Sequence, residues 1–204
     1  MARRAFVRVR NLVRVAAAVS AYMLVVRPRQ LRWGAKDAEV ARTMPGDELV
    51  NRPHFNATRA VTIRATPEAI WPWLVQMGCT RAGLYSYDWI DNGRKPSAER
   101  IVPELQQIEL GQFVPLTPNG KWGMWVKGFE PDRWMLWGRK HDDASLLWSL
   151  EPVDATHTRL ITRLRVRYVF TFPWLAYYLL QDVGDIFMMR KSMLGIKRRA
   201  ERAA

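Results

Sequence analysis

Cysteine is almost absent. The 204 residues hold one, Cys79, so no intrachain disulfide forms. Cys79 lies in the apolar stretch QMGCTRAG with no histidine near it in sequence, the setting of a buried, inert thiol. Histidine is scarce too. His54, His141 and His157 are too widely spaced for a H-x-x-x-H or Cys/His metal pattern. G-x-S-x-G, P-loop and dinucleotide fingerprints are all missing. The sequence therefore calls for no metal and no cofactor. There is no internal repeat and no low-complexity linker. Acidic residues are missing from residues 1–32. The cleanest apolar run, VAAAVSAYMLVV over 15–26, is shorter than the ~20 residues that cross a bilayer.

What is present is apolar and aromatic. The hydrophobic fraction is 49%, which excludes global disorder. Ten tryptophans supply broad rings that fill cores and line sites for apolar ligands. The formal charge is +13, and its distribution matters more than its sum. Residues 1–32 hold eight Arg and no acid. Residues 189–204 hold six basic residues against Glu201. These two ends carry the whole excess, and 33–188 is neutral. A nucleic-acid domain wears its basic stripe on the folded body. Charge at both ends beside apolar sequence suits an anionic membrane surface instead, so no nucleic acid is expected as partner.

The N-terminal stretch mixes Arg3, Arg4, Arg8, Arg10 and Arg14 with apolar residues. Val15, Val19, Tyr22, Leu24 and Val26 are the candidate membrane contacts, and Pro28 is expected to end the helix. Three readings stand side by side. They are a short or tilted signal anchor, an amphipathic helix in the interface, and a cleaved signal peptide. The last lacks a small-residue cleavage site. A helix packed on the domain is the plain alternative. Location at the cytoplasmic face of the plasma membrane is the expectation, with orientation open because Arg flanks both ends of the run.

The body is regular. ATRAVTIRA (57–65) reads as a strand. Thr66 caps a helix with Pro67 first and Glu68 in its first turn; the helix contains Pro72 and stops at Gly78. A short helix is expected over 86–92. Strands follow at 112–116 and 121–129, flanking Pro118-Asn119-Gly120. More follow at 133–140, 145–151 and 158–170, the last alternating Leu160, Thr162, Leu164, Val166, Tyr168 and Phe170 against four arginines and Ile161. That alternation marks one buried and one wet face. By the same test Trp122, Met124, Trp134 and Trp148 point inward, while Trp125 and Trp137 point outward, where the N-terminal segment is one candidate cover. A long helix over 175–202 closes the chain, with Leu179, Val183, Ile186, Phe187, Met193 and Leu194 as its apolar stripe.

This order resembles the helix-grip fold of the START, polyketide-cyclase and birch-allergen-like (SRPBCC) superfamily. The wording resembles an uncharacterised actinobacterial group within it. RWGA at 32–35 with PGD at 45–47, ATRAVTIRATPEAIWPWLVQMG, YSYDW at 85–89, AERIVP at 98–103 and MLGIKRRAE carry the likeness. It implies an α+β domain over 57–204, with a curved antiparallel sheet wrapped around the C-terminal helix and a cavity between them. An extended connector (32–56) and a basic N-terminal helix (1–31) precede the domain. Iron-dependent oxygenases of the superfamily use a His/His/carboxylate site that nothing here matches.

The expected ligand-binding residues are Arg81, Tyr85, Tyr87, Trp122, Met124, Trp134, Trp148, Leu164, Tyr168 and Phe187. Asp88 with Tyr85 or Tyr87 is the candidate acid–base group for a cyclase or dehydratase acting on an enolisable carbonyl; an Asp88 that caps a turn or pairs with Arg81, with rim tyrosines, is the simpler account. The leading expectation is binding or transport of an apolar, lipid- or polyketide-like molecule at a membrane. The alternatives are that enzyme and a non-catalytic scaffold using the basic ends. Enzymatic status and oligomeric state stay open.

Overall fold

A computed structural model describes residues 2–203, with side chains from residue 10 onward. Arg3, Arg4 and Arg8 of the basic stretch therefore lie outside the described side chains. Helix α1 (Ala2–Ala21) passes through a π-helical turn (Tyr22–Val26) into α2 (Arg27–Leu31). Pro28 does not stop the helix. The wider turn lets the Arg27 N–H reach the Tyr22 carbonyl, and Pro28 falls at the start of α2, where a missing N–H costs nothing. The connector is less extended than expected, since it carries α3 (Asp37–Ala41) and several turns.

Six strands form one antiparallel sheet: β1 (Phe55–Ile63), β2 (Phe113–Pro115), β3 (Gly123–Glu130), β4 (Trp134–Gly138), β5 (Ala144–Pro152) and β6 (Thr158–Val166). Their order is β1-β6-β5-β4-β3-β2. Between β1 and β2 lie α4 (Pro67–Val75) and the one-turn α5 (Asp88–Asp91). Thr66 precedes α4 without a side-chain cap to the backbone; its carbonyl instead accepts from the Ala69 and Ile70 amides. The long α6 (Trp174–Ala203) crosses the curved sheet. This is the expected α+β helix-grip architecture with an added N-terminal helix.

β6 ends at Val166 rather than Phe170, because its partner strand begins at Phe55, opposite Val166. Beyond it the Tyr168 amide turns to His54 Nδ1, 3.0 Å away. The inner face of the sheet carries Phe55, Leu146, Trp148, Leu150, Leu160 and Val166 in the main core, with α4 and α6. The expected faces of β4 are reversed. Met135 and Trp137 join this core, whereas Trp134 and Leu136 pack on the other side with Met44, Leu147 and Ile161. A bulge between Val126 and Gly128 shifts the register of β3 against β4 by one residue. That bulge exchanges the faces of β3 beyond it; the faces of β4 follow its unbroken pairing with β5, which sets Met135 opposite Trp148 and Trp137 opposite Leu146.

The outer face is not wet. The connector, and not the N-terminal helix, covers it, and its carbonyls and acids hold the arginines of β6. Arg163, 3% exposed, donates to Thr58 Oγ1, the Arg42, Glu39 and Val40 carbonyls, and Asp47 Oδ2. All five of its N–H groups are thereby matched. Arg165 lies 2.9 Å from Asp47 Oδ1, and Arg159 binds both oxygens of Glu39. Gly34, at φ +71°, lets the connector pass close over β1, since a Cβ there would sit 2.1 Å from the Ala60 carbonyl oxygen.

Of the stripe expected on α6, Met193 is buried as expected and Ile186 and Leu194 are half-buried, but the rest points elsewhere. Leu179, Val183 and Phe187 are exposed, and the inward face is Tyr178, Asp182, Met189, Met193, Ile196 and Ala200. Gly195 lets this face touch the loop after α4: a Cβ there would meet the Tyr85 carbonyl oxygen at 2.3 Å. Polar groups sit on the inward face because each meets a partner. Asp182 accepts from Arg27 Nε at 2.9 Å, Tyr22 Oη at 2.7 Å and Tyr168 Oη at 3.0 Å. Burial alone would raise the Asp182 carboxyl, yet these donors hold it below the usual carboxylate range. The same burial, with Asp182 beside it, pushes the Tyr22 phenol up to about 12. This knot ties the end of the N-terminal helix to α6.

Candidate functional site

Between the inner face of the sheet and the first half of α6 lies a cavity of about 520 Å³, within the ~300–1,000 Å³ of small-molecule sites. Its apolar wall comes from β5 and β6 (Leu146, Trp148, Leu164) and from Met77, Met124 and Trp137. Trp137 and Trp148 meet edge-on at 5.7 Å between ring centroids. On the helix side stand Trp174, Tyr177, Gln181, Met188 and Met189, unbranched methionines that adapt to varied ligand shapes. Trp122, 48% exposed, stands at the opening with Trp174, their rings 5.5 Å apart.

Polar groups are few and specific. Asp185 lines the cavity and is held 2.5 Å from Arg59 Nη1. Burial pushes its carboxyl up, against the pull of Arg59. Asp91, 7% exposed, also lines the cavity, and its Oδ1 has no protein hydrogen-bond partner. Burial, and the neighbouring Asp88 charge, push its carboxyl up to about 6. The indole N–H groups of Trp137 and Trp148 are likewise buried without a protein partner, a state that costs free energy unless something else accepts from them. Among the described residues no cluster of three His, Cys, Asp or Glu side chains is placed to hold a metal ion.

Of the ten residues expected to bind ligand, Trp122, Met124, Trp148 and Leu164 border the cavity. The other six stand elsewhere. Trp134 is on the outer face, and Phe187 is 61% exposed. Tyr168 is committed to Asp182. Arg81 lies behind the wall, donating to the Val75 and Leu105 carbonyls. Tyr85 is 2% exposed; its hydroxyl donates to the Trp73 carbonyl and accepts from Gln76 Nε2. Tyr87 lies under Lys191, whose Nζ is 5.7 Å from the ring centre.

The Asp88–tyrosine acid–base group is not assembled. Asp88 accepts from the Ser97 amide and hydroxyl, at 3.0 and 2.5 Å, and neither it nor the two tyrosines border the cavity. It pins the loop after α5, as the capping account expects. Asp91, one helical turn on, is the acid of this segment that borders the cavity. Its burial was the missing signal, and no pattern in YSYDWID distinguishes the two aspartates. Trp137, Trp174 and Tyr177 were missed for similar reasons.

No family model and no curated protein matches this chain. Its likeness is to solved structures. A polyketide-cyclase-like protein from Corynebacterium glutamicum is 16% identical, with 72% of this chain and 92% of that one covered at a TM-score of 0.47. A START superfamily protein from Mycobacterium smegmatis is 11% identical over 73% and 99%, at 0.45. The Aha1 dimer from Colwellia psychrerythraea is 16% identical over 72% and 96%, at 0.40. Fold does not fix function, so the site rests on its own residues.

Proposed function

We propose that the protein binds a hydrophobic small molecule, lipid- or polyketide-like, in this cavity and does so at a membrane surface. The observation that carries the reading is the apolar cavity itself, walled by Trp137, Trp148, Leu164 and methionines. Burying an apolar chain against such a wall releases roughly 25 cal/mol per Å² of area removed from water.

The membrane part rests on exposed apolar surface. Leu12, Val15, Val19 and Leu24 on the N-terminal segment are more than half exposed, as are Phe170, Phe172, Leu179 and Leu180 at the start of α6. Val26 is 49% exposed, while Tyr22 is turned to Asp182. No helix among the described residues is long and apolar enough to cross a membrane, and the interfacial arrangement is the one proposed. The basic N-terminal segment supplies attraction to anionic lipid.

Native mass spectrometry of the full chain after incubation with a total lipid extract tests the binding, and flotation with phosphatidylserine-containing vesicles tests the membrane contact. Retention of an apolar ligand and salt-sensitive co-flotation are expected. Protein that takes up no ligand from the extract sinks the first part; protein that stays at the bottom of the gradient sinks the second.

A further inference from the structure

Beside the opening of the cavity lies a second hollow of about 430 Å³, lined by Lys121, Trp125, Arg139, Lys140 and His141 among others. Trp122, Gly123, Arg139 and Trp174 border both spaces, so an apolar chamber and a basic one share a rim. Arg139 is placed firmly there. Its guanidinium lies 5.7 Å from the Trp122 ring centre and 3.1 Å from Asp143. Asp143 is the acid of this hollow. Among the described residues no carboxylate pairs with Lys121 or Lys140, whereas the nearby Lys127 is bound to Asp142. The excess charge at the rim is positive.

Inside, Asp185 is paired with the buried Arg59, and Asp91 is the carboxyl that lacks a protein partner at one oxygen. An anion entering head first would meet the Asp91 carboxyl in a poorly hydrated space, where like charges repel strongly. A molecule with its chain inside and its anion at the rim avoids both the repulsion and the desolvation of the head. Its head would meet the lysine ammonium groups and the Arg139 fork.

We propose that the ligand is an anionic amphiphile, its chain in the main cavity and its carboxylate- or phosphate-type head held at the rim by Lys121, Arg139 and Lys140. The proposal rests on the cavity-binding reading above and adds the charge and the orientation of the ligand. The basic rim is thus a specificity element separate from the basic ends of the chain.

The test uses the full chain, tryptophan fluorescence and dodecyl probes kept below their micellar concentrations. Dodecanoate is expected to bind about ten-fold more tightly than dodecanol, the scale of one charge-assisted hydrogen bond, and dodecyltrimethylammonium more weakly than either. In K121E/K140E, both positions being exposed, the dodecanoate margin should vanish while dodecanol binding is unchanged. Acetate and inorganic phosphate, heads without a chain, should leave the fluorescence unmoved. Equal binding of dodecanoate and dodecanol would overturn the proposal and leave the cavity reading standing, as would a margin that survives in the double variant. Binding of acetate or phosphate alone would make the rim a plain anion site and overturn it too. If no dodecyl probe binds, the cavity reading fails and the proposal with it.

Discussion

On the outer face of the sheet, Arg163 is buried with every N–H matched, and Leu136, Leu147 and Ile161 close around Met44. On the inner face, residues next along the same strands, Leu146, Trp148 and Leu164, border open space. There the indole N–H groups of Trp137 and Trp148 and one oxygen of Asp91 lack protein partners. Both faces cover a similar mixture of apolar and ionisable side chains. The difference is that the connector gives the outer face its carbonyls and Asp47, while α6 spans the inner face without filling it. Satisfied polar groups fasten a structure, and unsatisfied ones beside a cavity leave a place for something else to bind.

Mutations can break this contrast. The largest effect is expected at Asp47→Asn, which leaves the buried Arg163 and the half-buried Arg165 without their carboxylate; removing one partner of a buried pair costs about 3–5 kcal/mol. Urea unfolding should show the loss as a lower midpoint. Next comes a matched pair. Leu147→Ala on the filled face should cost about 3 kcal/mol, and Leu164→Ala beside the cavity about 2 kcal/mol or less, because atoms bordering space lose fewer contacts. Equal losses in thermal unfolding would remove the contrast.

The smallest effect should be a gain. The Asp91 carboxyl is raised from an ordinary 3.8 to about 6, so the folded state holds this proton more tightly than the unfolded chain does. That contribution is fully present below about pH 4 and is lost as pH rises through about 6. Asp91→Asn should therefore be more stable than the parent at pH 7, on the order of 1–2 kcal/mol, with the gap closing below pH 4. A gap that is the same at pH 4 and pH 7 would show that Asp91 is solvated and not part of the cavity wall.

Much of the inner face was legible from alternation. β6 sets Leu160, Thr162 and Leu164 against arginines, and the structure keeps that division. The strand WMLWG of β4 carries large apolar residues on both sides, so its sequence gives no reason to prefer either face; pairing with β5 decided it, with Met135 opposite Trp148 and Trp137 opposite Leu146. On α6 the most apolar row, Leu179, Val183 and Phe187, faces out. The buried row contains Asp182 and Arg199, which sequence alone places on the surface. They are buried because Arg27 and Tyr22, more than 150 residues away, and Glu99 meet them there. The candidate site was half legible: Met124, Trp148 and Leu164 sit on strands with a readable period and Trp122 just before one, whereas Asp91 and Trp174 depend on how loops close.

By itself the sequence determined the order of elements, the hairpin at Pro118-Asn119-Gly120, and the neutral body with basic ends. These follow from local periods and turn chemistry, which act between near neighbours in the chain. Only the tertiary structure decided which arginines are buried, which aspartate meets the cavity, and that the space between sheet and helix stays open. Those outcomes depend on partners brought together across the whole chain, and on volumes that no single segment specifies.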